Sequence, residues 1–231
     1  MLHLQVMRHA ILVVLMLTLG VNAMCAGAAG EREARIAKLR ALLEKNPSEP
    51  RLLLKLATQY VHLADETERQ ETADQARQLL TQAEKAGAGP ETRAWMGLLR
   101  CIEAKYGSGV TARTLAQDGL HMLDEAVEAD AANLKFRVMR ASVSLRVPRE
   151  WKRLEQAKDD LLVAELAIRR DPRRIHQYDI DAAELYFKLG QAHLGTGELT
   201  EARAAWQLAV KQVPATKYAR EAERFLKRHG G

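Results

Sequence analysis

A chain of 231 residues is long enough for one domain or one short repeat array. Aromatic residues make up 5% of it against 47% hydrophobic residues in all, with 6 prolines, a balance that favours packed helices over sheets. The formal net charge of +5 is mild and spread along the chain, unlike the clustered basic face expected of a nucleic-acid binder, so no nucleic-acid partner is expected, and two cysteines do not make a disulfide framework.

The chain begins MLHLQVMRHAILVVLMLTLGVNAMCAGAAG. Arg8 and the amino terminus give a weakly positive start, Ala10 to Val21 is an apolar run, and small residues come after it. Ala26-Gly27-Ala28 has the small-x-small pattern that signal peptidase accepts, with Val21-Asn22-Ala23 as a second candidate. Residues 1–28 therefore read as a secretory signal peptide. The rival is an uncleaved anchor, because Ala10 to Ala29 is about long enough to span a bilayer. Met24 before Cys25 departs from the small residue that precedes a lipidated cysteine. The expected location is periplasmic, with inner-membrane anchoring as the alternative.

From there the pattern is helical throughout. Glu31 to Asn46 is a lone helix stopped by Pro47. Helices are expected from Pro50 to about Ala64, from about Thr72 to Ala86, over Glu91 to Lys105 and over Thr111 to Ala129. The first pair is closed by Ala86-Gly87-Ala88-Gly89-Pro90, and the loop Gly107-Ser108-Gly109 divides the second. Leu134 to Leu145 comes next, then a break at Pro148 and a helix over Glu150 to Arg170 that ends at Asp171-Pro172. Asp181-x-x-Glu184 has the form of a capping box opening the next helix, and Ala215 to Arg228 reads as a solvating C-terminal helix.

The helices repeat. Residues 183–214 read AELYFKLGQAHLGTGELTEARAAWQLAVKQVP, with Tyr186-x2-Leu189-Gly190-x2-His193, then Ala202-x3-Trp206, Ala209 and Pro214. Gly190 and Ala202 permit close helix approach, Trp206 fills the space between helices, Gly197 closes the turn, and Pro214 ends the second helix. Upstream, Ala83, Ala126, Ala167 and Ala209 recur at separations of 43, 41 and 42, and Ala57, Leu99, Ala141 and Gly190 at 42, 42 and 49. The unit at 183–216 resembles the tetratricopeptide repeat (TPR), with His193 in place of the usual tyrosine. The upstream units are stretched relative to that family's repeat of about 34 residues, which keeps other helical-pair arrays such as HEAT-like ones in play. The resemblance implies an all-α, TPR-like solenoid of about four helical pairs over residues 31–229. The repeats lie near 48–88, 90–131, 133–172 and 181–214, with a capping helix at each end.

In that family the first helix of each pair lines a concave face that binds protein segments. Taking Ala57, Leu99, Ala141 and Gly190 as equivalent, the resemblance places four sets of residues there. The first is Arg51, Leu54, Thr58, Val61 and His62, and the second is Arg93, Met96, Arg100, Glu103 and Ala104. The third is Lys135, Val138, Ser142, Leu145 and Arg146, and the fourth is Glu184, Phe187, Gln191, Leu194 and Gly195. Such a groove is basic with apolar patches and suits a peptide or protein partner carrying acidic residues. The clamp with which some members hold a terminal carboxylate is missing, since Leu54, Met96, Val138 and Phe187, with Thr58, Arg100, Ser142 and Gln191, occupy its positions.

Little points to chemistry. His176-x-x-Asp179-x-Asp181 could be imagined as a metal site but fits a helix cap better. The run Arg169-Arg170-Asp171-Pro172-Arg173-Arg174 fits a solvated turn with cations near a helix C-terminus better than a phosphate or lipid patch. Cys101, within WMGLLRCIEA, reads as a buried small apolar residue. No GxSxG, HExxH, GxxxxGK[ST] or CxxC occurs. The expectation is a protein-binding scaffold in the cell envelope, not an enzyme, with no cofactor. Contact with membrane is expected only if the N-terminal segment is retained, and the alternative is a membrane-anchored structural component.

Overall fold

The computed structural model describes residues 30–212 and 216–229. The expected signal segment lies outside them, as does Pro214. Among the described residues there is no strand, and no helix is long and apolar enough to cross a membrane.

Helix α1 (residues 30–45) docks on α2 (Pro50–Thr67) through the buried Ile36, with Arg32 pairing to Glu66 at 2.6 Å. Four antiparallel pairs come next. They are α2 with α3 (Gln70–Lys85), α4 (Glu91–Glu103) with α5 (Gly109–Ala129), α6 (Leu134–Ser144) with α7 (Leu154–Arg170), and α9 (Ala182–Thr196) with α10 (Leu199–Gln212). Each pair stacks on its neighbour, and α11 (Lys217–His229) closes the array against α9 and α10. The all-α solenoid with a capping helix at each end is thus the observed architecture.

Local chemistry sets the helix ends. Pro50 opens α2, and the Asn133 and Asp181 side chains accept from the first-turn amides of α6 and α9, which supports the capping reading of Asp181 over the metal reading. Gly197, at φ 88°, ends α9 in a paired turn: its amide reaches Leu194 O at 3.1 Å and that of Glu198 reaches His193 O at 2.8 Å. Pro148 does not lead straight into a helix over Glu150 to Arg170. A 3-10 turn (Arg149–Trp151) comes first, Lys152 takes φ 55°, and α7 begins at Leu154. The residues that stretch the upstream repeats are visible as the 21-residue α5, this connection, and a short helix α8 (Arg174–Gln177).

Two contacts let paired helices touch. A Cβ at Gly190 would lie 2.3 Å from Trp206 Nε1, and the indole, fully buried, donates to Phe187 O at 3.2 Å. A Cβ at Gly119 on α5 would lie 2.5 Å from Gly97 O on α4, so that crossing is nearly backbone on backbone.

The apolar core is in two parts that meet on α6. Phe136, Met139 and Val143 pack with α2–α5, and Leu134 and Ala141 pack with α7–α11. Between α5, α6 and α7 the seam is ionic. Asp160, 1% exposed, accepts two 2.8 Å bonds from Arg140 and one of 2.8 Å from Arg137. Arg140 also reaches Asp124 on α5 at 3.2 Å, and Arg153 holds the same carboxylate at 2.9 Å. Lys158 extends the polar links, donating at 2.8 Å to Glu198 in the α9–α10 turn.

Gly190→Ala is expected to destabilise the fold by about 2 kcal/mol, the cost of forcing the indole from its seat. Gly107→Ala, where a new Cβ meets nothing closer than 3.4 Å, is expected to be near neutral. Urea unfolding checks both, and equal effects at the two glycines would contradict this reading.

Candidate functional site

The first helices of the pairs line one side of the array together with α11. There a narrow cleft of about 190 Å³ draws on every repeat: His62 and Asp65 from α2, Trp95 and Leu98 from α4, Lys135 and Val138 from α6 with Arg146 from the turn after it, and Glu184 and Lys188 from α9. Tyr218 of α11 closes one wall. Sequence elements more than 150 residues apart meet here because the array curls on itself.

Its floor is polar and largely self-paired. Lys188, 7% exposed, donates to Ser142 Oγ and to Glu184, which also accepts from Tyr218 at 2.8 Å. Burial pushes the Glu184 carboxyl up, but the Lys188 charge and the bonds from Lys188 and Tyr218 outweigh it and hold the group below its ordinary value of 4.5. Asp65 behaves alike: burial raises it, and its bond with Lys105, with the charges of Lys105 and Arg146, brings it below 3.8. His62 is open to water yet enclosed by the cleft walls. Desolvation, then Arg32 and Lys135, lower its pKa, and its ring meets Trp95 edge-on at 5.3 Å with the Lys135 ammonium 5.1 Å from the Trp95 centroid.

Two clefts adjoin it. One of about 460 Å³ lies over Leu39 and Leu54 and is rimmed by Arg35, Arg51, Lys55 and Lys135 against Glu91 and Asp179. One of about 300 Å³ lies under α11 and is bounded by Arg146, Phe187, Lys188, Gln191 and Phe225. A third neighbour, about 360 Å³, is mainly apolar: Leu98, Cys101, Ile102, Val143, Val147 and Trp151 form it, with Arg113 and Arg146 at its edge. Cys101 Sγ lies 3.7 Å from Ala116 O, and burial pushes its thiol up to about 12, so it behaves as a small apolar group and not as a nucleophile. Among the described residues no group of His, Cys, Asp or Glu could hold a metal ion.

Of the residues that the sequence places in a groove, Arg51, Leu54, Thr58, His62, Ala104, Lys135, Val138, Ser142, Leu145, Arg146, Glu184, Phe187 and Gln191 line these clefts. Arg93, Met96 and Arg100 do not. Arg93 turns to α5, where it pairs with Glu125, Met96 is half-buried against the N-terminal core, and Arg100 borders none of the four clefts. The reason is register. The close-approach residue of α4 is Gly97, not Leu99, and two residues rotate a helix by about 200°. The rotation presents Glu91, Trp95, Leu98 and Cys101 instead. Gly97 on α4 and Gly119 on α5 were the available signal. The apolar cleft at Trp151 had none, because it depends on the 3-10 turn.

Replacing Lys188 by Met leaves the half-buried Glu184 without its nearest cation. A carboxyl depressed in the folded state contributes stability above its unfolded value and loses it as pH falls through the folded one. The Glu184 midpoint, followed by NMR, is therefore expected below 4.5 in the natural protein and above it in Lys188→Met. Unfolding free energy should fall more steeply on acidification below pH 4.5 in the natural protein. An unmoved midpoint contradicts the pairing.

No family model matches the sequence, and no curated protein matches it. Among solved structures the chain is similar to a thermophilic TPR protein of Thermus thermophilus, at 17% identity and a TM-score of 0.65, over 87% of this chain and 93% of that chain. The fold is therefore that of a TPR-type array of helical pairs.

Proposed function

We propose that the chain is a non-catalytic adaptor that binds a segment of another protein along the side lined by α2, α4, α6, α9 and α11. The observation that carries this reading is the position of Arg146. Its side chain is 55% exposed, its ion pair with Asp65 is a loose 3.9 Å contact, and it borders three of the four clefts. A guanidinium in that state is available to a carboxylate. Beside it the apolar cleft of about 360 Å³ has room for one or two large apolar side chains. The fitting partner is thus a segment with an aliphatic or aromatic anchor next to Asp or Glu, the anchor among Leu98, Val143 and Trp151 and the carboxylate on Arg146.

We further propose that the adaptor works in the cell envelope, with residues 1–28 as its export signal. The apolar run Ala10 to Val21 followed by Ala26-Gly27-Ala28 supports this. The same run supports the second reading, a membrane-anchored assembly component. N-terminal sequencing of the protein recovered from cells separates the two: a start near Ala29 fits export with cleavage, and an intact Met1 fits the anchor.

The binding test uses a photo-crosslinking residue at position 151, with a second at position 93 as a control facing α5. A defined partner is expected from 151 and not from 93. For a peptide from that partner, Arg146→Glu and Trp151→Ala should each weaken binding at least about tenfold, the usual effect of removing an interface anchor. Arg93→Glu should change it little. Equal crosslinking from the two positions, or an unaffected Arg146→Glu, overturns the assignment.

A further inference from the structure

The outer face of α7 carries Leu162, Val163 and Leu166 exposed at 37%, 41% and 46%, three large apolar residues within five positions of one helix. At about 100° per residue they share a stripe with Glu155 and Asp159 toward the N-terminus and with Arg169 and Arg170 toward the C-terminus. The stripe is therefore acidic at one end, apolar in the middle and basic at the other. Beside it, Val163, Leu166, Ala167, Arg170, Asp171 and Arg174 enclose a shallow cavity of about 260 Å³.

We propose that this face binds a second copy of the same chain, α7 against α7, antiparallel about a twofold axis. The charge order selects both the occupant and its direction. An axis passing midway between Ala164 and Glu165 sets Val163 against Leu166 and Asp159 against Arg170 of the second copy, and each contact occurs twice. A parallel pairing would set acid on acid and base on base. Asp159 and Arg170 suit the role, because among the described residues neither makes a side-chain ion pair or hydrogen bond within its own chain. The cavity beside Val163 and Leu166 gives room for an aliphatic side chain from the facing helix. An anionic lipid surface fits less well, since Glu155 and Asp159 would face it. One helix pair buries less than the roughly 1,200 Å² typical of a stable complex, so the dimer is expected to be weak, with a dissociation constant on the order of 10 μM. The face lies on the second helix of its pair, so this inference does not depend on the adaptor function.

The test is sedimentation equilibrium over a wide concentration range, on the protein purified as the cell makes it. The natural protein should dimerise reversibly. Asp159→Arg and Arg170→Asp should each weaken the dimer at least about tenfold, because like charges then meet twice, and the double variant should recover most of the loss. Leu166→Asp should leave a monomer whose far-UV circular dichroism matches that of the natural protein. A natural protein that stays monomeric at several hundred micromolar overturns the proposal. So does a double variant as weak as either single one.

Discussion

Asp160 is the charge on which the array depends. It lies almost wholly out of water between α6 and α7 and is neutralised by Arg137 and Arg140, and Arg140 and Arg153 in turn hold Asp124 on α5. Burial alone would weaken the hold of Arg140 on its proton, and the Asp160 bond and charge more than restore it. The network stands where the apolar core is interrupted, between a cluster built on α2–α5 and one built on α7–α11. Elsewhere the repeats are joined mainly by Leu, Ala and aromatic side chains, which are tolerant of small shifts, with ion pairs such as Arg77–Glu103 and Lys158–Glu198 beside them. Here they are joined by a bidentate guanidinium–carboxylate pair, which fixes direction as well as distance. Removing one member of such a buried pair costs about 3–5 kcal/mol, chiefly because the remaining charge is left uncompensated.

The clefts inherit their shape from that seam. Trp95 and Leu98 belong to the N-terminal part, Glu184, Lys188 and Tyr218 to the C-terminal part, and Arg146 stands just past the end of α6 between them. A solenoid couples each repeat chiefly to its neighbours, so a loose joint at α5–α6–α7 would let the two walls move apart. The self-paired floor of the cleft works in the same direction, since Lys188 on α9 donates to Ser142 on α6. What this self-pairing leaves out is the rim, where the proposed partner would sit: Arg146, the cations around Leu54, and the apolar cleft at Trp151.

Much of this was legible in the sequence, and the parts that were not share a cause. Pro50, Gly87, Asp181 and Gly197 mark helix ends by their own backbone and capping chemistry, so the order of helices comes from local residues. Gly190 and Trp206 announce a close helix crossing in the last unit, and the registers of α2, α6 and α9 come from similar small residues. In α4 two adjacent signals conflicted: Leu99 matched the spacing of the repeat, and Gly97 matched the physics of close approach. Physics decided, and Arg93 and Arg100 turned away from the clefts. The ionic seam was hidden because Asp160, Arg137 and Arg140 read like ordinary surface charges until three helices bring them together. The turn at Arg149–Trp151 was hidden because Pro148 marks a helix break but does not fix the conformation of the residues after it.

If the Asp160 network joins two otherwise separable cores, native-state hydrogen exchange should show it most directly. In the natural protein the slowest amides of α2–α4 and of α9–α10 should open with one common free energy, as a single cooperative unit. In Asp160→Ala the two groups should separate into distinct tiers while each half keeps its own protection pattern. Two tiers already present in the natural protein, or one common value retained in Asp160→Ala, would contradict the account.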